Sequence, residues 1–448
     1  MKPDTANLKS PSLFRIRTLV VIVVVFAFLG LSGFAEDAID RLKLERLRRL
    51  HDAIATMEGM RQEKEILRTY VDHRANLHVH SAFSHDSRGT IEEIVVAAKQ
   101  AGTSVLMFSE HPAAHYDFFV DGHQGLRDGV LLIPGAEMNG FLVYPMQSLK
   151  GKEQLEKQDL SNAIRERGGL TFVSHLEERM EWEVRGVTGC EIYNTHADFK
   201  TEKRLLSSLK NPLWLIQAKA MFDTYPQEAL SAILDYPADY LKRYDQLCQI
   251  HPHTGVSAND AHQNVGLVLR LTDAGKISVE DPLGEKLLEL DRAIYEAAQP
   301  IPDTAKAGDV LYRLQLDPYA KSLRHVGTHL LMRGLTQADV WESLNAGRAY
   351  VSFDWLGETR GFDLSIVTGS TRHEMGSQLS WKEGSRMVGY SPLPVRWKIF
   401  RNGELIHEAQ ARDLDWPVSQ SGIYRAECWL SLADTDYIWI LANPFYLR

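Results

Sequence analysis

The sequence predicts an α/β chain in which a barrel of βα units is followed by a small antiparallel β-sandwich. Short apolar runs recur between residues 73 and 355, separated by helical stretches, and run after run ends in a histidine or a carboxylate. After residue 356 the pattern becomes alternating apolar and polar residues around a tight turn. At 448 residues, 44% of them hydrophobic, the chain is long enough for a barrel-sized domain and a second, smaller one.

Residues 1–35 read as a signal peptide or a membrane anchor. Lys2, Lys9, Arg15 and Arg17 precede the apolar stretch from Leu19 to Leu31, and no charge occurs between Thr18 and Ala35. The stretch is nearly long enough to span a bilayer, so cleavage after Ala35 and a retained anchor both stay open. Either way the body is expected to be exported, periplasmic or extracellular, and to meet membrane only through this segment. Residues 36–72 are charged, with Leu47, Leu50, Ile54 and Met57 stepping by three and four, and read as a helical spacer.

The barrel region, 73–355, opens on the apolar run that ends in His78-Val79-His80. On a strand, residues i and i+2 face the same way, so one strand end presents two imidazoles together. Thr90 to Gly102 reads as a helix, with Thr90 as cap, Glu93 three residues on and Gly102 as stop. The next apolar runs end in Ser109-Glu110-His111, Gly135-Ala136-Glu137, Ser174-His175 and Asn259-Asp260-Ala261-His262. Ligand-type residues therefore recur at C-terminal strand ends, where the active sites of β/α barrels are built. The stretch 197–250 is helical, broken by Pro212, Pro226 and Pro237, and is expected to cover one barrel mouth. Trp214, Phe222, Tyr225 and Tyr236 there are candidates to line a pocket or a core.

In the last region, 356–448, Pro394 to Phe400 alternates, Arg401-Asn402-Gly403 supplies a hairpin turn, and Gly422 to Leu430 alternates again. The only cysteines, Cys190, Cys248 and Cys428, exclude a disulfide scaffold and form no C-x-x-C pair; they read as small buried hydrophobes. A net charge of -9 gives no electrostatic support for a stable nucleic-acid partner.

The ordered set His78-x-His80-Ser81, Ser84-x-Asp86-Ser87, Ser109-Glu110-His111, Gly135-Ala136-Glu137, Ser174-His175 and Asn259-Asp260-Ala261-His262 resembles the PHP (polymerase and histidinol phosphatase) family of metal-dependent phosphoesterases. The resemblance covers roughly residues 73–355 and implies a distorted seven-stranded (β/α)7 PHP barrel. It implies two or three divalent metal ions at the strand ends, with His78, His80, Glu137 and Asp260 around one. Glu137 would bridge to a second held by His175, and Asp86, His111 and His262 would hold a third. The catalytic residues it implies are Glu137, His111 and His175. This sequence departs from the family after Glu137, where Met138 to Pro145 contains no histidine; His115, His123 or His196 is left as a substitute from a loop.

Imidazole-rich ligation suits zinc, manganese or iron better than magnesium. The function expected from the resemblance is hydrolysis of a small phosphorylated substrate, a phosphate ester, by metal-bound hydroxide. Arg179 is expected at the substrate pocket, and Glu191 and Asn194 of the Gly189-Cys190-Glu191-Ile192-Tyr193-Asn194 strand are read either as groups that support the ligands from behind or as substrate-binding pocket groups; Arg88 and Arg185 are further candidates for phosphate. Another metallohydrolase, amidohydrolase-like, and a non-catalytic binding protein on a decayed barrel are the alternatives.

Overall fold

The computed structural model describes residues 37–208, 211–297 and 299–448. The expected signal peptide or anchor lies outside the described residues, and among these no helix is long and apolar enough to cross a membrane. The first strands are β1 (Val71–Val79), β2 (Val105–Phe108), β3 (Gly125–Arg127), β4 (Val130–Ile133), β5 (Ala136–Met138), β6 (Phe141–Tyr144), β7 (Leu170–Val173), β8 (Gly189–Asn194) and β9 (Thr254–Ala258). β1, β2 and β4 pair in parallel, as do β7, β8 and β9. The helix between β1 and β2, Ile91–Ala101, has the expected reciprocal cap between Thr90 and Glu93 and stops at Gly102, whose φ of +77° favours glycine.

The fold is mixed α/β, but the described residues do not form one closed ladder of seven βα units. β1, β2 and β4 belong to a large sheet, while β5 to β9 form a separate five-stranded sheet. Two isolated parallel bridges, Val79 with Ala261 and Glu110 with Ala136, join the strand ends of the two sheets beside the histidine cluster. The ladder breaks because β5 turns back into antiparallel β6 through Asn139 (φ +50°) and Gly140 (φ +82°), an Asn-Gly hairpin where a crossover helix was expected. A four-stranded antiparallel sheet was not anticipated at all: β10 (Gly266–Leu271), β11 (Ile277–Glu280), β12 (Lys286–Leu290) and β13 (Val310–Gln315), in the order β12-β11-β10-β13.

Next come β14 (Gly327–Met332) and β15 (Ala349–Ser352), then β16 (Asp363–Thr368), β17 (Thr371–Glu374), β18 (Gln378–Leu379), β19 (Arg386–Arg401), β20 (Glu404–Pro417), β21 (Gly422–Leu432), β22 (Thr435–Ala442) and β23 (Phe445–Leu447). Residues after 356 are mainly antiparallel β structure, with β19 and β20 joined at Asn402-Gly403 and one short parallel pair, β18 with β23. They are not a free-standing sandwich. β22 pairs with β15, β15 with β14 and β14 with β1, so the C-terminal strands continue the sheet that carries His78 and His80. Buried Asn443 adds a second tie: it accepts from the Gly255 amide (2.7 Å) and the Tyr244 hydroxyl (2.6 Å) and donates to the carbonyls of Gly255 and Ala349.

The expected helical spacer is helical only over Ala38–Arg41 and Leu44–Gly59. The apolar stripe ends at Met57, and the Gln62 amide donates to the Pro392 carbonyl, so the following residues run along the C-terminal strands instead. All three cysteines are buried and free.

At the end of β1 away from the histidine pair lies a buried ionic network. His329 on β14 donates to Asp72 (2.8 Å) and Asp354 (3.1 Å), and Arg74 pairs with Asp354 at 2.9 Å. Burial opposes a charge on His329, but Asp72 and Asp354 outweigh it and push its pKa up to about 10. Because the folded pKa lies above the unfolded value near 6.5, this contribution is complete below about pH 6.5 and is lost as pH rises toward 10. We expect the denaturant midpoint of the native chain to fall across that window. His329→Gln should lose roughly 3–5 kcal/mol at pH 7, by removing the cation between Asp72 and Asp354 and leaving Asp72 with only the Tyr350 hydroxyl, and should show a flatter profile; unfolding curves at pH 6, 7, 8 and 9 check both.

Candidate metal centre

The strand ends deliver the side chains. β1 ends at His78 and His80, both fully buried. β2 leads to Glu110 and His111, β4 to the hairpin strand carrying Glu137, β7 to His175 and β9 to Asp260 and His262. His175 (φ +44°) and Asp260 (φ +50°) both take left-handed backbone, costly for non-glycine residues and here spent at two site positions. The turn at each strand end thereby aims its side chain back across the cluster.

Donors around one ion at about 2.0–2.2 Å lie roughly 3.0–3.6 Å from each other. His78 Nε2 lies 3.2 Å from Asp260 Oδ1 and 3.3 Å from Glu137 Oε2, and His80 Nε2 lies 3.4 Å from Asp260 Oδ1. The opposite oxygens of the same two carboxylates face other rings. Glu137 Oε1 is 3.2 Å from His175 Nε2, and Asp260 Oδ2 is 3.4 Å from His196 Nδ1. A third grouping puts Asp86 Oδ2 3.3 Å from both His111 Nε2 and His262 Nε2, with His80 close by. His78 Nε2, His262 Nε2, Asp86 Oδ1 and Asp260 Oδ1 are buried without a hydrogen-bond partner in the chain. Nitrogen and carboxylate lone pairs converging at these spacings, with no donor between them, fit divalent cations.

The far side of each ring fixes its tautomer. His78 Nδ1 donates to Glu191 Oε1 at 2.7 Å; a carboxylate only accepts, so the proton sits on Nδ1 and Nε2 faces the cluster. His175 Nδ1 meets Glu177 at 3.1 Å in the same way, and His262 Nδ1 donates to the Asp260 carbonyl at 2.9 Å. His80 is set through an intermediary. Ser84 has one hydroxyl proton and gives it to Glu110 (2.7 Å), so it accepts from His80 Nδ1 and from the His111 amide, each at 3.0 Å. Burial pushes the Glu110 carboxyl up, while its hydrogen bonds from Ser81 and Ser84 work against the rise.

The electrostatics follow from this crowding. Burial opposes charge on every ring, and the outcome depends on the carboxylates each ring faces. His78 rises well above the ordinary imidazole value, chiefly through Asp260 and Glu137; His175 is pushed up to about 10 and His262 to about 9. His80 goes the other way, to about 3, because burial and the neighbouring His262 outweigh its carboxylate contacts. Asp260, Glu137 and Asp86 are held below the usual carboxylate range by the imidazoles, against burial.

All eight residues proposed as ligands from the sequence, His78, His80, Asp86, His111, Glu137, His175, Asp260 and His262, come together here. Of the three histidines left as substitutes, the structure brings His196 in, against Asp260. His123 packs on Phe83 and Phe108, and His115 on Tyr116. Of the two roles read for Glu191 and Asn194, their contacts are those of groups that support the ligands from behind. Glu191 is fully buried, with its oxygens taken by His78, the His175 amide and Asn194. Asn194 also caps the helix Thr195–Thr201 by accepting from the His196 and Ala197 amides. Arg179 donates to the carbonyls of Ser174 and His175 and lies on the Trp182 ring. These three shape the site through other residues. Arg88 likewise donates to nearby carbonyls, of His85 and Ser87. Sequence reasoning missed the orienting roles of Ser84, Glu110 and Glu177; the one local signal was Glu177 two residues after His175.

Residues 76–249 match the family model described as the PHP domain. The match ends before Asp260 and His262, which the fold nevertheless returns to the same cluster as His78, His80 and Asp86. A solved structure similar to the chain is that of a two-domain protein from Bacteroides vulgatus ATCC 8482 containing a predicted PHP-like metal-dependent phosphoesterase. It covers 85% of this chain and 99% of its own, at 13% identity and a TM-score of 0.36. No curated protein matches the chain significantly.

Two outcomes test this geometry. Glu191→Ala and Ser84→Ala should each weaken divalent-metal binding by about 10–100-fold, because the ring behind each loses its orienting acceptor; calorimetric titration reads this directly. Metal must displace protons from rings with raised pKa values, His175 and His262 among them. Affinity should therefore rise with pH up to about 9–10, with protons released on binding, as titration in buffers of different ionisation enthalpy would measure.

Proposed function

We propose that the protein is a metal-dependent phosphoesterase that hydrolyses a small phosphate ester. The observation that carries this reading is the way Glu137 and Asp260 each offer two oxygens to different imidazole groups, an arrangement that suits adjacent cations. His78, His80, Glu137 and Asp260 would hold one ion. His175 and His196, with the outer oxygens of Glu137 and Asp260, would hold a second, and Asp86, His111 and His262 a third. Bound there, zinc, manganese or iron would acidify a water molecule and offset phosphoryl charge.

The chain's own part is orientation and desolvation. Glu191, Glu177 and the Ser84–Glu110 pair keep the Nε2 atoms of His78, His175 and His80 aimed at the cluster. Burial of His78, His80 and Asp260 excludes bulk water from one side, while half-buried His111 and Asp86 leave the other side open to an incoming phosphoryl group. The substrate is expected outside the cytoplasm, since the charge-free run from Thr18 to Ala35 supports export; cell fractionation checks that location.

Purified protein loaded with manganese or zinc should release phosphate from members of a mono- and diester panel and should leave amides and lactones intact. Asp260→Asn should lower kcat/KM by at least about 100-fold with the fold retained by circular dichroism. Fully loaded protein that releases no phosphate from any ester would overturn the reading.

A further inference from the structure

A cavity of about 60 Å³ opens directly beside the cluster. His196 and Asp260 line it, so it reaches the ligand groups. Phe199, Phe222, Ile233 and Leu316 give it apolar wall, and Asn264 and Asp317 are among its other polar lining groups. Phe199 and Phe222 are only half-buried, unlike Ile233 and Leu316. Both pack on one side against the buried cluster that includes Ala38, Leu42, Leu47, Ala218 and Met221, and both line the cavity. That packing fixes the rings at the cavity wall.

We propose that this cavity receives an apolar group attached through the ester oxygen, so that the substrate is a short alkyl or aryl phosphate ester. The inference rests on the phosphoesterase reading above. A phosphoryl group placed at Asp260 and His196 has the apolar wall one side chain away. At about 10–15 Å³ per water-sized group the cavity takes roughly four to six such groups, a ring or a short chain, and not a nucleoside. Asn264, Asp317 and Ser322 also line the cavity, so the discrimination between an alkyl group and a sugar is a preference set by the rings of Phe199 and Phe222. In the reaction the P–O bond to the ester oxygen breaks, the hydroxyl of water joins phosphorus, and its proton ends on the leaving oxygen, giving the free alcohol.

The test uses the full chain. Along methyl, propyl, butyl and hexyl phosphate, kcat/KM should climb about fourfold per methylene and level off near the longest member, with phenyl phosphate among the better substrates and glucose 6-phosphate among the poorer. Calorimetric titration with hexylphosphonate and methylphosphonate should show the same preference without turnover. In Phe222→Ser and in the milder Phe199→Ala, each checked for folding by circular dichroism, the hexyl-to-methyl ratio should fall at least tenfold in both assays. Equal kcat/KM along the series, or a ratio unmoved in both folded variants, overturns the cavity assignment while leaving the phosphoesterase reading intact. Chain-length-dependent phosphonate binding with no hydrolysis of any ester would overturn that reading and leave the assignment standing.

Discussion

Two carboxylates govern this structure, because each shares its oxygens among rings that arrive from different strands. Glu137 sits between His78 and His175, and Asp260 between His78, His80, His262 and His196. Such a knot is unstable unless each group is paired, since isolated buried charges cost several kcal/mol each. The surrounding chain meets that constraint from behind. Glu191 and Glu177 each hold one ring through Nδ1, Ser84 holds another on behalf of Glu110, and the Asp260 carbonyl holds a fourth. The cluster is therefore wrapped in a second layer of hydrogen bonds that leaves the inward nitrogens little rotational freedom.

The scaffold transmits this rigidity to distant segments. Asn443, near the C-terminus, bonds both backbone groups of Gly255, and β9 carries the chain from there to Asp260. Its neighbour β8 carries Glu191 and Asn194, and the pairing of β8 with β9 keeps those orienting groups in register with the ligands. At the other end of β1, the His329 network ties β1 and β14 to Asp354 with a second buried ionic set. One strand thus carries fixed charge at both ends, and between them Ala75 and Leu77 are buried on one face while Asn76 bonds Asn259 and Thr103 on the other.

Most of the ligand set was legible in the sequence because strand periodicity is local. His78 and His80 share a face through the two-residue repeat alone, and carboxylates or histidines ending apolar runs point to strand ends. The Thr90–Glu93 cap and the Asn402-Gly403 turn are likewise written within a few residues. What escaped depends on distance through space. Ser84 and Glu110 are far apart in sequence, and only the partners of Glu191 on β1 and after β7 decide between the supporting and pocket roles that the sequence leaves open. Asn139-Gly140 did spell a hairpin, yet the expectation of alternating βα units overrode it. The β10–β13 sheet was hidden because its strands lie within a stretch read as barrel, and several of their residues are half-exposed.

The continuity of one sheet from β1 through β14 and β15 to β22 has a consequence for how the chain can be divided. A cut at residue 355, where the sequence pattern changes, would strip β15 from Tyr437-Ile438-Trp439-Ile440-Leu441-Ala442 and leave that run as a bare, apolar edge. Unpaired edges of this composition recruit other strands. The severed C-terminal piece would therefore tend to self-associate, and the severed N-terminal piece would lose the partner that closes its own sheet. The two sequence regions differ in pattern, but they share one folding unit.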